Sequence, residues 1–245
     1  DDNIAIGLNA LGDVNHASTV RNIAIGSGAG DGIGGIQGAN QDNIFIGHDA
    51  GGGTWASAVS QFNIGIGSYA MDAAMYGALY NTGIGYAALG SLTQGDQNTV
   101  IGYQAGDAIN SGSWNILMGV NTGGSITTGG ENTFLGSGVG AALTTGSENI
   151  AIGSGAFDAA ANAETGNVSI GQNAMGAADS GSNCIAIGRA TLADNTSTSL
   201  VAVGHNAMNN NTTGSGNTAL GFQALYTNLD GGSNTAVGYK AGFSM

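Results

Sequence analysis

One five-residue phrase, Asn149-Ile150-Ala151-Ile152-Gly153, returns with variations fourteen times along the chain. Its closing glycines are Gly7, Gly26, Gly47, Gly67, Gly85, Gly102, Gly119, Gly136, Gly153, Gly171, Gly188, Gly204, Gly221 and Gly238. An Asn stands four residues before twelve of them, and Cys184 and Leu200 fill the other two places. The residue just before the glycine is always Ile, Val, Leu or Met. A period kept through a whole chain is the signature of a solenoid, in which each repeat buries its apolar surface against its neighbours.

The period also sets the coil. Glycine to glycine, the first coils measure 19, 21, 20 and 18 residues, and those from Gly85 onward run 16 to 18. The extra residues fall at 30–41 and 51–61, between repeats, where a solenoid tolerates loops. The reading is a single repeat solenoid over 1–245, irregular over 1–80 and regular over 81–245. Ahead of the glycine, a β-branched residue, an often small residue and an aliphatic follow one another, as in Ile150-Ala151-Ile152 or Thr218-Ala219-Leu220. Alternation of period two with β-branched enrichment predicts a short strand. Its first and third side chains are expected to point inward, with Ile6, Ile25, Ile46, Ile66, Ile84, Ile101, Ile152 and Ile170 in one buried column. The small middle residues would then face out. An alanine three residues after most of the glycines marks a second buried element, and turns such as Thr145-Gly146-Ser147 close the coil. The fold class is therefore all-β, a parallel β-solenoid (β-roll) of about fourteen coils of 16–21 residues. Asn81, Asn98, Asn115, Asn132, Asn149 and Asn167 are expected to stack as a structural ladder, each amide bonding to the next.

Composition narrows function. Glycine takes 47 of 245 positions without a Gly-X-Y period and without any proline, which excludes collagen. Three basic residues, Arg21, Arg189 and Lys240, face sixteen acidic ones, for a net charge of −13. Such a chain lacks the cations that neutralise nucleic-acid phosphates or bind anionic lipid. It also holds no apolar run of 18 residues, so membrane insertion is not expected. The lone Cys184 excludes an internal disulfide and, in an Asn slot, reads as a buried side chain.

The phrase Asn-x-Ala-Ile-Gly followed by alanine resembles the head repeat of trimeric autotransporter adhesins, which form a left-handed parallel β-roll trimer. The longer forms, Gly216-Asn217-Thr218-Ala219-Leu220-Gly221-Phe222-Gln223-Ala224-Leu225 and Asn98-Thr99-Val100-Ile101-Gly102-Tyr103-Gln104-Ala105, resemble repeats of phage tail fibres. The coil here is longer than that of the adhesin heads. The resemblance implies a homotrimer, an extracellular or virion-surface location, and a structural fibre or filament with an adhesive, host-recognition role.

No catalytic arrangement is visible, so the chain is read as a non-enzyme. His16, His48 and His205 are far apart, and Gly30-x-Gly32-x-x-Gly35 lacks the βαβ setting that gives such a pattern meaning. No cofactor is expected. Calcium is the one ion left open by the scattered acids, although the calcium-binding Gly-Gly-x-Gly-x-Asp series is missing. The aromatics carry more. Trp55, Tyr69, Tyr76, Tyr80, Tyr86, Tyr103 and Trp114 are candidate receptor or glycan contacts, with packing along the flank or between subunits as the structural alternative. Phe222 and Tyr239 repeat the pattern of Tyr86 and Tyr103, each just after a repeat glycine. Repeats begin at Asn3 and continue almost to the last residue, so self-association, end to end or with further chain, is expected, helped by the small middle column. The alternative reading is an ice-binding solenoid with Thr82, Thr99, Thr133, Thr218 and Thr235 as the ordering face. Three points stand against it: the expected inward direction of these threonines, their interruption by Ile and Val, and the uneven coils.

Overall fold

A computed structural model describes residues 2–12, 14, 18–34, 39–55, 58–159, 163–176 and 181–244. His16, Gly35 and parts of the two long loops (35–38 and 56–57) lie outside the described residues. The chain divides into two compact units, Asp1–Gly129 and Gly130–Met245. Each is a parallel β-solenoid with one three-residue strand per coil and no helix among the described residues. The first unit holds β1 (Ile4–Ile6), β2 (Ile23–Ile25), β3 (Ile44–Ile46), β4 (Ile64–Ile66), β5 (Thr82–Ile84), β6 (Thr99–Ile101) and β7 (Ile116–Met118). The second holds β8 (Thr133–Leu135), β9 (Ile150–Ile152), β10 (Val168–Ile170), β11 (Ile185–Ile187), β12 (Val201–Val203), β13 (Thr218–Leu220) and β14 (Thr235–Val237). Neighbouring strands within a unit pair in parallel and in strict register, so Ile44 meets Ile64 and Thr82 meets Thr99.

The repeat glycine is obligatory. It adopts φ between +122° and +146°, outside the range that L side chains favour. A Cβ on Gly102 would also overlap the carbonyl oxygen of Gly119 in the next coil. Three further residues of a typical coil turn left-handed: the one before the Asn, and the second and fourth after the glycine. Glu148, Asn173 and Met175 are examples, at φ 61°, 53° and 49°. These corners fold the chain back over its own strand. Ser169 Oγ donates to the Ala174 carbonyl at 2.8 Å, which places the strand's middle residue directly beneath the corner.

The strand therefore faces the opposite way from the sequence expectation. The middle residues are the buried ones: Ala24, Phe45, Val100, Leu117, Phe134, Ala151, Ala186, Ala202 and Ala219 have no exposure at all. The column from Ile6 to Ile170 is not buried; Ile6 is 58% exposed and the others are half-buried. The physical reason is the narrow coil. Its interior leaves room for a small residue and one large side chain, so the bulky aliphatics go outside. The small middle column consequently offers no surface to a second copy.

The Asn ladder forms as expected. Asn81 Oδ1 accepts both the backbone N–H of Asn98 at 3.0 Å and its side-chain amide at 2.9 Å. The Asn98 amide also donates to the Gly112 carbonyl at 2.9 Å, so the whole carboxamide is satisfied although fully buried. Asn132, Asn149 and Asn167 repeat the pattern in the second unit.

Candidate functional site

With the small residues inside, each strand presents its first and third side chains outward. No flanking strand residue is buried in either unit. The result in each unit is two columns, seven levels tall, made only of Ile, Val, Leu, Met and Thr. Ile116, Met118, Ile150, Ile185, Ile187, Val201 and Leu220 are each more than a third exposed. No charge interrupts them, in a chain whose net charge is −13. A continuous, uncharged and largely aliphatic face of this kind is the sort of patch that marks an interaction surface. Thr82, Thr99, Thr133, Thr218 and Thr235 stand on this outward face, contrary to the expectation that they point inward.

Side chains just after the repeat glycine form a flanking column. Tyr86 and Tyr103 stack at 5.3 Å with their planes 13° apart, and Phe222 and Tyr239 do so at 5.3 Å and 8°. Tyr69 meets Tyr86 edge-on at 5.6 Å, and His48 meets Tyr69 at 5.3 Å. Because Tyr86 and Tyr103 spend ring faces on each other, they present mainly edges and hydroxyls to solvent. Tyr76 is exposed on the return segment.

The residues before the Asn ladder form another flanking column. In the first unit it holds Asp2, Arg21, Asp42, Phe62, Tyr80, Gln97 and Trp114. Arg21 and Asp42 form a two-bond ion pair at 2.7 Å, and the guanidinium holds the Asp42 carboxyl below its usual range. Phe62 and Tyr80 stack at 4.9 Å with planes 2° apart. Sequence reasoning passed over Phe62 and Gln97, although their place one residue before Asn63 and Asn98 was readable.

Trp55 is not a surface contact. It is 2% exposed, packs edge-on against Phe45 at 5.7 Å and donates its indole N–H to the Gly51 carbonyl. The long coil around it is large because it encloses two big aromatic rings. Cys184 is buried, and burial pushes its thiol up, away from reactivity. Among the described residues no three His, Cys, Asp or Glu side chains gather to hold a metal ion, and no helix is long and apolar enough to cross a membrane. Comparison with family models, curated proteins and solved structures returned no match.

Proposed function

We propose that this chain is a structural segment of a fibre on a virion or cell surface, a homo-oligomer held together by its outward strand faces. The observation that carries the reading is the continuous aliphatic face on each unit, free of charge in a strongly acidic chain. Copies of the same chain are its natural cover, since the face is regular and repeats at every coil. The resemblance to adhesin heads and tail-fibre repeats makes three copies the favoured number. The exposed aromatics Tyr76, Tyr80 and Trp114 are the surface left for a host receptor or glycan. Light scattering on the purified protein should give three times 23.8 kDa. A dilution-stable mass of 23.8 kDa would sink the reading.

A second reading gains from the outward threonines. In-register strands place Thr and aliphatic methyls on a two-dimensional grid, about 4.8 Å by about 6.7 Å, of the kind that orders surface water. The uneven coil lengths no longer weigh against ice binding, because the paired strands keep their register whatever the loops do. The third position contains no threonine in any strand, which is why this reading stands second. Thermal hysteresis by a monomer at micromolar concentration would reverse the order.

A further inference from the structure

We propose that the Gln97 level between Tyr80 and Trp114 is a slot for one neutral pyranose ring of a glycan. The inference rests on the adhesive part of the reading above and gives it a place and a chemistry. Phe62, Tyr80, Gln97 and Trp114 occupy four successive levels of one column. Their backbones share one conformation, with φ of 59°, 59°, 56° and 58°. Their amides share one register too: Tyr80 N–H donates to the Gln61 carbonyl, Gln97 to Leu79 and Trp114 to Asp96, at 3.1, 2.9 and 3.0 Å. The side chains therefore leave the backbone in a common direction, one level above another.

This column is built for stacked rings, as the parallel Phe62–Tyr80 pair demonstrates. Gln97 leaves one level without a ring. At about 4.8 Å per level, Tyr80 and Trp114 stand about 9.6 Å apart, and with the exposed Gln97 side chain swung to the edge of its level a ring inserted midway would lie about 4.8 Å from each. That separation falls inside the range of aromatic stacking. Both walls are open to solvent, Tyr80 at 54% and Trp114 at 57% exposure.

The chemistry selects the ligand. The C–H faces of a pyranose pack on aromatic rings, and the Gln97 carboxamide offers a donor and an acceptor to adjacent hydroxyls. A nucleotide or acidic sugar would find no cation. Arg21, the single basic residue of this unit, is bound to Asp42 three levels or more away from the slot. The neighbouring Asp96 carboxylate is engaged by the Leu79 N–H at 2.8 Å and adds only negative charge nearby.

Tryptophan fluorescence reads the slot selectively, because Trp55 is buried and Trp114 is not. The probes are cellotetraose, chitotetraose and lactose, titrated into the full chain. A saturable change with at least one of them is expected, with affinity reduced about tenfold by Tyr80→Ala. Gln97→Tyr should complete the ring column, leave the circular dichroism and melting curve intact, and abolish binding. Absence of a saturable change with all three sugars overturns the proposal. So does native affinity in Gln97→Tyr, or a variant mass that changes while no sugar binds, which would assign the slot to another copy of the chain. The fibre reading fails separately, on the mass of the unliganded protein.

Discussion

A small strand residue and a large corner residue replace one another in this core, coil by coil. Where the strand's middle residue is small, the fourth residue after the glycine is usually large, as in Ala151 with Phe157, Ala202 with Met208 and Ala219 with Leu225; Ala24 with Gly30 and Ala236 with Gly242 are the exceptions. Where the middle residue is large, that corner is glycine: Phe45 with Gly51, Leu117 with Gly123, Phe134 with Gly140. A Cβ on Gly51 would lie 2.6 Å from the Phe45 ring, and one on Gly140 would overlap the ring of Phe134. Most coils thus hold one bulky side chain at this level, delivered from either side. Phe134→Ala is expected to cost about 3–5 kcal/mol in urea unfolding. Gly140→Phe alone should also destabilise, by clash with Phe134. Together they rebuild the arrangement of the next coil, where Phe157 already tolerates φ 57°, and most of the loss should return. Strictly additive losses would refute the exchange rule. A second residue-scale test uses Asp107, whose carboxyl is raised from 3.8 chiefly by partial burial, partly offset by backbone N–H donors. Its charged form is disfavoured in the fold, so stability falls as pH rises through the window above 3.8. Asp107→Asn should melt higher than the native chain at neutral pH, and the gap should close once the pH falls below that window.

The Asn ladder shows how one element survives the loss of its residue. Cys184 and Leu200 lack the amide that elsewhere donates to a carbonyl of the next coil. The seventh residue after the glycine supplies it instead. Asn195 donates to Ser197 O at 2.9 Å alongside the weaker Cys184 thiol at 3.3 Å, and Asn211 donates to Gly214 O at 2.8 Å in place of Leu200. Asn211 and Asn228 continue as a second buried ladder, with Asn228 donating to Asn211 Oδ1 at 2.9 Å. In other coils that position is apolar, as at Leu92, Ile109, Ile126 and Leu143. Asn195→Ala should cost about 1–3 kcal/mol, by leaving the Ser197 carbonyl only the weaker Cys184 thiol and its N–H no side-chain acceptor, and Cys184→Asn in that background should recover the part that belongs to the carbonyl. A double variant no more stable than Asn195→Ala would show that the two amides do not share a task. The solenoid, its strands and the first ladder were legible in the sequence because each rests on a column read every 16–21 residues. The direction of the strands was not. Alternation of period two identifies two faces without saying which is wet, and the aliphatic face is the natural choice until the width of the coil is known. The same error hid the outward threonines. Trp55 was misplaced because its partner Phe45 lies in another segment of its coil, at a position otherwise mostly small.

At the scale of the molecule, the outward aliphatics separate what holds a coil together from what holds copies together. Ile150 and Ile185 project from strands whose interior work is done by Ala151 and Ala186. Replacing both by Glu removes no internal contact with the buried core, and costs only the loss of β-branched neighbours along the face, about 1 kcal/mol or less per site. It does place charges in the middle of the surface proposed to meet other copies, where burial without partners is costly. The Ile150→Glu, Ile185→Glu variant should therefore keep its far-ultraviolet circular dichroism while its mass falls to 23.8 kDa. Ala151→Glu should behave in the opposite way: a charge driven into a closed interior unfolds the coil whatever the oligomeric state. Retention of the native mass by the double glutamate variant would remove the strand face as the packing surface. Loss of its circular dichroism at every protein concentration would mean that these side chains serve the coil itself. A stable monomer that keeps its secondary structure satisfies both conditions at once, because only a face turned outward and covered by another copy can lose its partner without losing its fold.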